Sequence, residues 1–148
     1  MVTKKRTVQN PVDGGGGGGG GGGLAGPNNP GKPIMNAAAR LEDGNRAFAD
    51  KQYDLAVKLY LEALSASPED PAVLTKVGMA YYKLRDYKKA IEFFGKVLEK
   101  TPDDRNVLYT MGLLYMRSGD KIKALSTYDK LRKIHVEKAE ELYKEIYK

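Results

Sequence analysis

The chain has 148 residues, 41% of them hydrophobic, and a formal charge of +6 from 25 basic and 19 acidic side chains, which is enough for one domain with a tail. With no cysteine and one histidine, disulfide frameworks and thiolate chemistry are excluded, and histidine metal clusters and Ser-His-Asp arrangements have no members to draw on. No apolar run approaches the ~20 residues that cross a bilayer, and no apolar stretch succeeds the basic opening "MVTKKRTV" as a signal peptide requires.

Residues 1–13 form a basic segment with Lys4, Lys5 and Arg6 against Asp13. Residues 14–35 form a Gly/Pro-rich stretch that opens with ten consecutive glycines, Gly14 to Gly23. A glycine run has nothing to bury and a large backbone entropy to lose, so it cannot belong to a core. The segment from Gly26 to Lys32 has the outline of a phosphate loop. However, Pro33 stands where Ser or Thr would hold magnesium, and three prolines remove amides that would face phosphate. A flexible linker is the expectation. An unbroken run of ten glycines is unusual for a natural spacer and reads as an engineered tether between the basic segment and the C-terminal three-quarters of the chain.

From Asn36 the chain repeats every 34 residues. Gly44, Gly78 and Gly112 share this spacing, as do Ala56, Ala90 and Ala124, Tyr60, Phe94 and Tyr128, and the pair Pro68 and Pro102. Asn36, Asp70 and Asp104 recur at expected helix N-caps. Each unit contains two apolar stripes at helical spacing, for example Leu74, Val77, Tyr81 and Leu84, then Ala90, Ile91, Phe94, Val97 and Leu98. The spacing predicts helices over 37–50 and 53–66, 71–84 and 87–100, and 105–118 and 121–134. A seventh, over about 137–147, carries Ala139, Leu142, Tyr143 and Ile146 on one side. Small residues such as Gly78 and Ala90 predict close approach of paired helices. His135 falls in the turn before the last helix, a capping position.

The order Leu74-x2-Val77-Gly78-x2-Tyr81, Ala90-x3-Phe94 and Pro102 resembles the tetratricopeptide repeat pattern. Leu108, Met111, Gly112, Tyr115, Ala124 and Tyr128 repeat it, with Val136 in place of the expected Pro. The first unit is looser, with Arg40, Asp43 and Ala47 at usually apolar places. The resemblance implies an all-α fold: a right-handed α-solenoid of three helix-turn-helix repeats (37–70, 71–104, 105–138) with a capping helix, forming a domain over 36–148 behind a flexible tail. It also implies a concave groove lined by the first helix of each pair.

On that pattern the groove-facing positions are Leu41, Asn45, Phe48, Thr75, Met79, Tyr82, Lys83, Asn106, Tyr109, Leu113, Met116 and Arg117. Seven of the twelve are apolar or aromatic, which a solvated surface does not need. Tyr82, Tyr109 and Met116 are the expected anchors, since tyrosine and methionine suit adaptable contact. Some family members clamp a C-terminal carboxylate, but here only Asn45 matches that set; Leu41, Lys76, Asn106 and Thr110 depart from it. The expected function is therefore a non-catalytic protein-interaction module that binds a peptide segment of a partner, as adaptor, chaperone or scaffold. No cofactor, metal, small-molecule substrate or membrane insertion is implied, and a cytoplasmic location is the expectation. Val2–Asp13 is a candidate for that segment in cis, its basic end overhanging toward Glu42 and Asp43. Two alternatives come from other classes. One is a self-assembling scaffold. The other, disfavoured, is a nucleic-acid binder using Lys88, Lys89, Lys121, Lys123, Lys130, Arg132, Lys133 and Lys138, which acidic neighbours interrupt.

Overall fold

The computed structural model describes residues 32–148; the expectations for the basic segment and the glycine run lie outside them. The described residues form seven helices and no strands: α1 (Lys32–Ala49), α2 (Tyr53–Leu64), α3 (Pro71–Lys83), α4 (Tyr87–Lys100), α5 (Arg105–Arg117), α6 (Lys121–Ile134) and α7 (Val136–Ile146). Helices pair in chain order, α1 with α2, α3 with α4 and α5 with α6. Each pair packs on the next, and α7 covers the last pair. This is the all-α solenoid that the repeat implies.

Most ends fall within two residues of the sequence expectation, because the capping residues set them. Asp70 accepts from the Ala72 amide at 2.9 Å, and Pro71 starts α3 where its missing N–H costs nothing. Asp104 accepts from the Asn106 and Val107 amides at 3.0 and 3.1 Å. The expected cap at Asn36 is not one: α1 begins four residues earlier, at Lys32, and takes in the end of the predicted linker. Pro33 lies in its first turn, where proline is tolerated, so nothing stops the helix short of Lys32.

The turn inside each pair is built the same way three times. Lys51, Arg85 and Gly119, 34 residues apart, sit at φ 64°, 64° and 88°. Their amides donate to Phe48, Tyr82 and Met116 carbonyls at 3.0, 3.0 and 3.1 Å. The next amides, of Gln52, Asp86 and Asp120, reach back to Ala47, Tyr81 and Tyr115 at 2.8, 3.0 and 2.7 Å. This is a Schellman closure. Its final residue is also the N-cap of the following helix. Asp86 and Asp120 accept from the amides of Lys89 and Lys123, whereas the Gln52 side chain caps nothing. The Lys123 amide holds the Asp120 carboxyl below its ordinary range.

The core falls into two clusters, with half-buried Leu98 and Tyr115 packed against both. Tyr60, Leu74, Val77, Ala80, Ala90, Phe94, Val97 and Leu114 are almost fully buried in one cluster. Leu108, Ala124, Leu131, Ala139, Leu142 and Ile146 form a second around α7. The repeating glycines mark the tightest crossings. A Cβ at Gly78 would stand 2.9 Å from the Phe94 ring, and one at Gly44 2.7 Å from Tyr60. At Gly112 the partner changes: the added carbon would strike Leu142 of α7, not Tyr128. Tyr143, on the same side of α7 as Leu142 by spacing, is 42% exposed. It leans on Tyr128 and Tyr147, with ring centroids 5.4 and 4.6 Å away. His135 caps α7 through Nδ1, which accepts from the Lys138 amide at 3.2 Å. In the first repeat, Arg40 bonds ionically to Asp43 and to Glu62 of α2, at 3.6 and 3.4 Å, and Asp43 also pairs with Arg46. That exposed network occupies the positions where the other repeats are apolar, and contributes little stability.

Candidate functional site

The first helices of the pairs, α1, α3 and α5, share one face of the array. An open cavity of about 450 Å³ lies on it between α1 and α3, lined by Asn45, Phe48, Ala49, Tyr60, Thr75, Lys76 and Met79. Helical spacing places these residues. Asn45, Phe48 and Ala49 fall on one side of the last turn of α1, and Thr75, Lys76 and Met79 on the facing side of α3. The cavity floor is apolar and aromatic, with Phe48 edge-on to Tyr53 at 5.2 Å. Its polar groups are few and held in place. The Tyr60 hydroxyl donates to Asn45 Oδ1 at 3.0 Å, and burial pushes that hydroxyl above its ordinary pKa. The Thr75 hydroxyl is turned back on the Pro71 carbonyl at 2.7 Å. Lys76 Nζ lies 6.0 Å from the centre of the Tyr60 ring and makes no ion pair with any described residue.

Four of the twelve sequence-derived residues, Asn45, Phe48, Thr75 and Met79, thus meet around one cavity. Leu41 and Tyr82 are half-buried against the same core cluster, with the Arg117 guanidinium 5.7 Å from the Tyr82 ring centre. Tyr109, Leu113 and Met116 stand further along and pack partly against the second cluster. Lys83, Asn106 and Arg117 are exposed. The last helix closes this end. Lys138 Nζ sits 4.7 Å from the centre of the Tyr109 ring. Burial, then Glu141 and Glu145 of α7, raise the Tyr109 hydroxyl above its ordinary pKa. Lys138 therefore lies against Tyr109 of α5, apart from the other basic residues named with it. Of those, Lys89 and Lys123 are paired with Asp86 and Asp120 at 3.9 and 3.3 Å. Sequence reasoning left Ala49 and Tyr60 out of the lining and named Lys76 only at a clamp position. Tyr60 has the spacing of a core aromatic and is one, yet its ring also shows to the cavity.

A family model described as tetratricopeptide repeat matches residues 47–108. Those residues carry tetratricopeptide repeats. Solved structures agree in fold. A tetratricopeptide repeat protein from Parabacteroides merdae is 22% identical with a TM-score of 0.68, over 74% of this chain and 43% of that one. This chain therefore spans less than half of that protein. The TPR2B domain of yeast Sti1, in complex with pHsp70, is 23% identical with a TM-score of 0.67, over 76% of this chain and 97% of that one. The first TPR of Spaghetti (RPAP3), bound to the HSP90 peptide SRMEEVD, is 19% identical with a TM-score of 0.68, over 77% and 92%. At such identities the likeness concerns the fold alone. No curated protein matches the sequence. Among the described residues no group of three His, Asp or Glu side chains is placed to hold a metal ion, and no helix is long and apolar enough to cross a membrane.

Proposed function

We propose that the face formed by α1, α3 and α5 is a peptide-binding groove, and that the domain is a non-catalytic adaptor, chaperone or assembly module. The carrying observation is the open cavity between α1 and α3, whose apolar floor is rimmed by Asn45, Thr75 and Lys76. At about 450 Å³ it has room for one or two side chains of an extended segment, the rim groups being placed to meet backbone or charge. Two structures of the same fold carry peptide or chaperone partners, which supports the reading. The chain keeps only Asn45 of the carboxylate-clamp set, so recognition through apolar anchors fits better than capture of a terminal carboxylate.

The test is selection of binders from a displayed library of random dodecapeptides on the full chain. Met79→Glu puts a charge on the cavity floor and should weaken the selected peptides at least thirtyfold, about 2 kcal/mol, with helicity unchanged. The triple change Tyr82→Ala, Tyr109→Ala and Met116→Ala should also weaken them if they span the groove. Equal capture by Met79→Glu refutes the site.

A further inference from the structure

The groove is charged in a definite order. Lys76, at the α1–α3 cavity, makes no described ion pair. Exposed Lys83 and Arg117 stand in the middle. Glu141 and Glu145 of α7 bear on Tyr109 at the far end, each with one lysine partner, Lys138 at 3.2 Å and Lys148 at 3.0 Å. The segment Val2–Asp13, read backwards, carries complementary groups in the same order. Asp13 comes first, then the uncharged stretch Pro11 to Thr7, then Arg6, Lys5 and Lys4. Asn10-Pro11 disfavours helix and holds the residue before proline extended.

The lengths agree as well. From Lys32 at the start of α1 to Arg46 beside the cavity is fourteen residues of helix, about 21 Å at 1.5 Å each. Between Asp13 and Lys32 lie eighteen residues, Gly14 to Gly31. A glycine-rich chain of that length has an r.m.s. end-to-end distance of about 23 Å. Effective concentration is greatest where reach matches span, and is then in the millimolar range. Across the groove, the α1–α3 cavity and the α5–α7 end are two helix spacings apart, about 20 Å. The seven extended residues from Val12 to Arg6, six steps apart, cover about 20 Å.

We propose that Val2–Asp13 occupies the groove of its own chain, with Val12 at the apolar α1–α3 cavity, Asp13 on Lys76, and Lys4–Arg6 meeting Glu141 and Glu145 beside Tyr109. The uncharged middle passes Lys83 and Arg117 without repulsion. The basic end goes to α7, not to Glu42 and Asp43 on the first repeat, because Asp13 on Lys76 already takes that end of the groove and Arg40 and Arg46 pair with Asp43. The occupied groove is self-limited: a partner's peptide must displace the tethered segment. The assignment rests on the groove being a peptide site.

The absence of cysteine allows one nitroxide to be placed at Gln9→Cys in the full chain. Methyl-labelled methionines report on it: Met79 in the cavity, Met116 along the groove and Met111 in the core. The label should broaden Met79 and Met116 more than Met111, by an amount that dilution does not change. Val12→Asp with Asp13→Lys, outside every described helix, should abolish this and raise affinity for a library-selected dodecapeptide about tenfold. Broadening no greater at Met79 than at Met111, or broadening lost on dilution, overturns the proposal. If the selected dodecapeptide still shifts Met79 in that case, only the occupant is wrong; if it does not, the groove reading falls too.

Discussion

Gly95 and Gly112 lie inside helices, yet alanine should act on them with opposite signs. An added Cβ at Gly95 meets nothing within 4 Å, so Gly95→Ala in α4 should gain the helix-propensity difference, about 0.8–1 kcal/mol. For a domain of this size that is a rise in Tm of about 4 °C. At Gly112 the same gain is opposed by collision with Leu142, whose Cδ1 and Cγ would stand 2.8 and 3.1 Å from the new carbon. Overpacking costs about 1–3 kcal/mol, so Gly112→Ala should be net destabilising by up to about 2 kcal/mol. Leu142 is a flexible side chain but wholly buried, which leaves it little room to yield. Leu142→Ala alone should cost about 2–5 kcal/mol through the cavity it leaves. In the Gly112→Ala background it should cost at least 1 kcal/mol less, because the new methyl fills part of that cavity. Urea unfolding followed by far-ultraviolet circular dichroism measures the parent and all four variants. If Gly112→Ala stabilises as much as Gly95→Ala, or if the cycle shows no coupling, α7 does not pack on α5 as described.

Gln52→Asp should supply the side-chain cap that α2 lacks and raise stability by about 0.5–1 kcal/mol, read as a higher urea midpoint; Asp86→Ala, which removes such a cap, should lower it by about 1 kcal/mol. Arg85→Gly relieves a left-handed residue costing about 1–2 kcal/mol but adds about 0.4–1 kcal/mol of unfolded-state freedom, so a net gain near 0.5 kcal/mol is expected, while Gly119→Ala should lose about 1 kcal/mol. Burial raises the Tyr60 and Tyr109 hydroxyls, so the folded state keeps their protons after the unfolded chain has lost them; stability from this source is full below about pH 10 and falls as pH rises through the folded values. Urea midpoints at rising alkaline pH should drop, and less steeply in Tyr109→Phe; equal slopes would show that Tyr109 is not buried as described.

The 34-residue period made the helix pairs legible because both of its causes are written in side chains. Glycine against an aromatic sets the first two crossings, and aspartate sets most starts. What stayed hidden has physical reasons too. The early start of α1 left no mark, since proline and the small polar residues around it suit a linker and a first helical turn alike. The left-handed turn residues are legible only at Gly119; Lys51 and Arg85 adopt the same backbone with no compositional sign. Around the candidate cavity, Asn45, Phe48, Thr75 and Met79 were legible from the repeat positions. Tyr60 was not, because a core aromatic there also shows its ring to the cavity, and Lys76 was legible only as a clamp position. Spacing put Leu142 and Tyr143 on one side of α7 but did not tell the buried one, which meets Gly112, from the half-exposed one, which lies on Tyr128.

Within a pair, one residue both closes the first helix and opens the second, so no spare link exists between them. Between pairs, Ser65–Asp70 and Thr101–Asp104 form longer connections. The array is therefore a chain of stiff plates on softer hinges. Under tension or on taking up a bulky partner, its curvature should change at those hinges while each plate keeps its shape. A single residue inserted beside Asp86 should break a plate, whereas one inserted beside Ser67 should only re-aim the next.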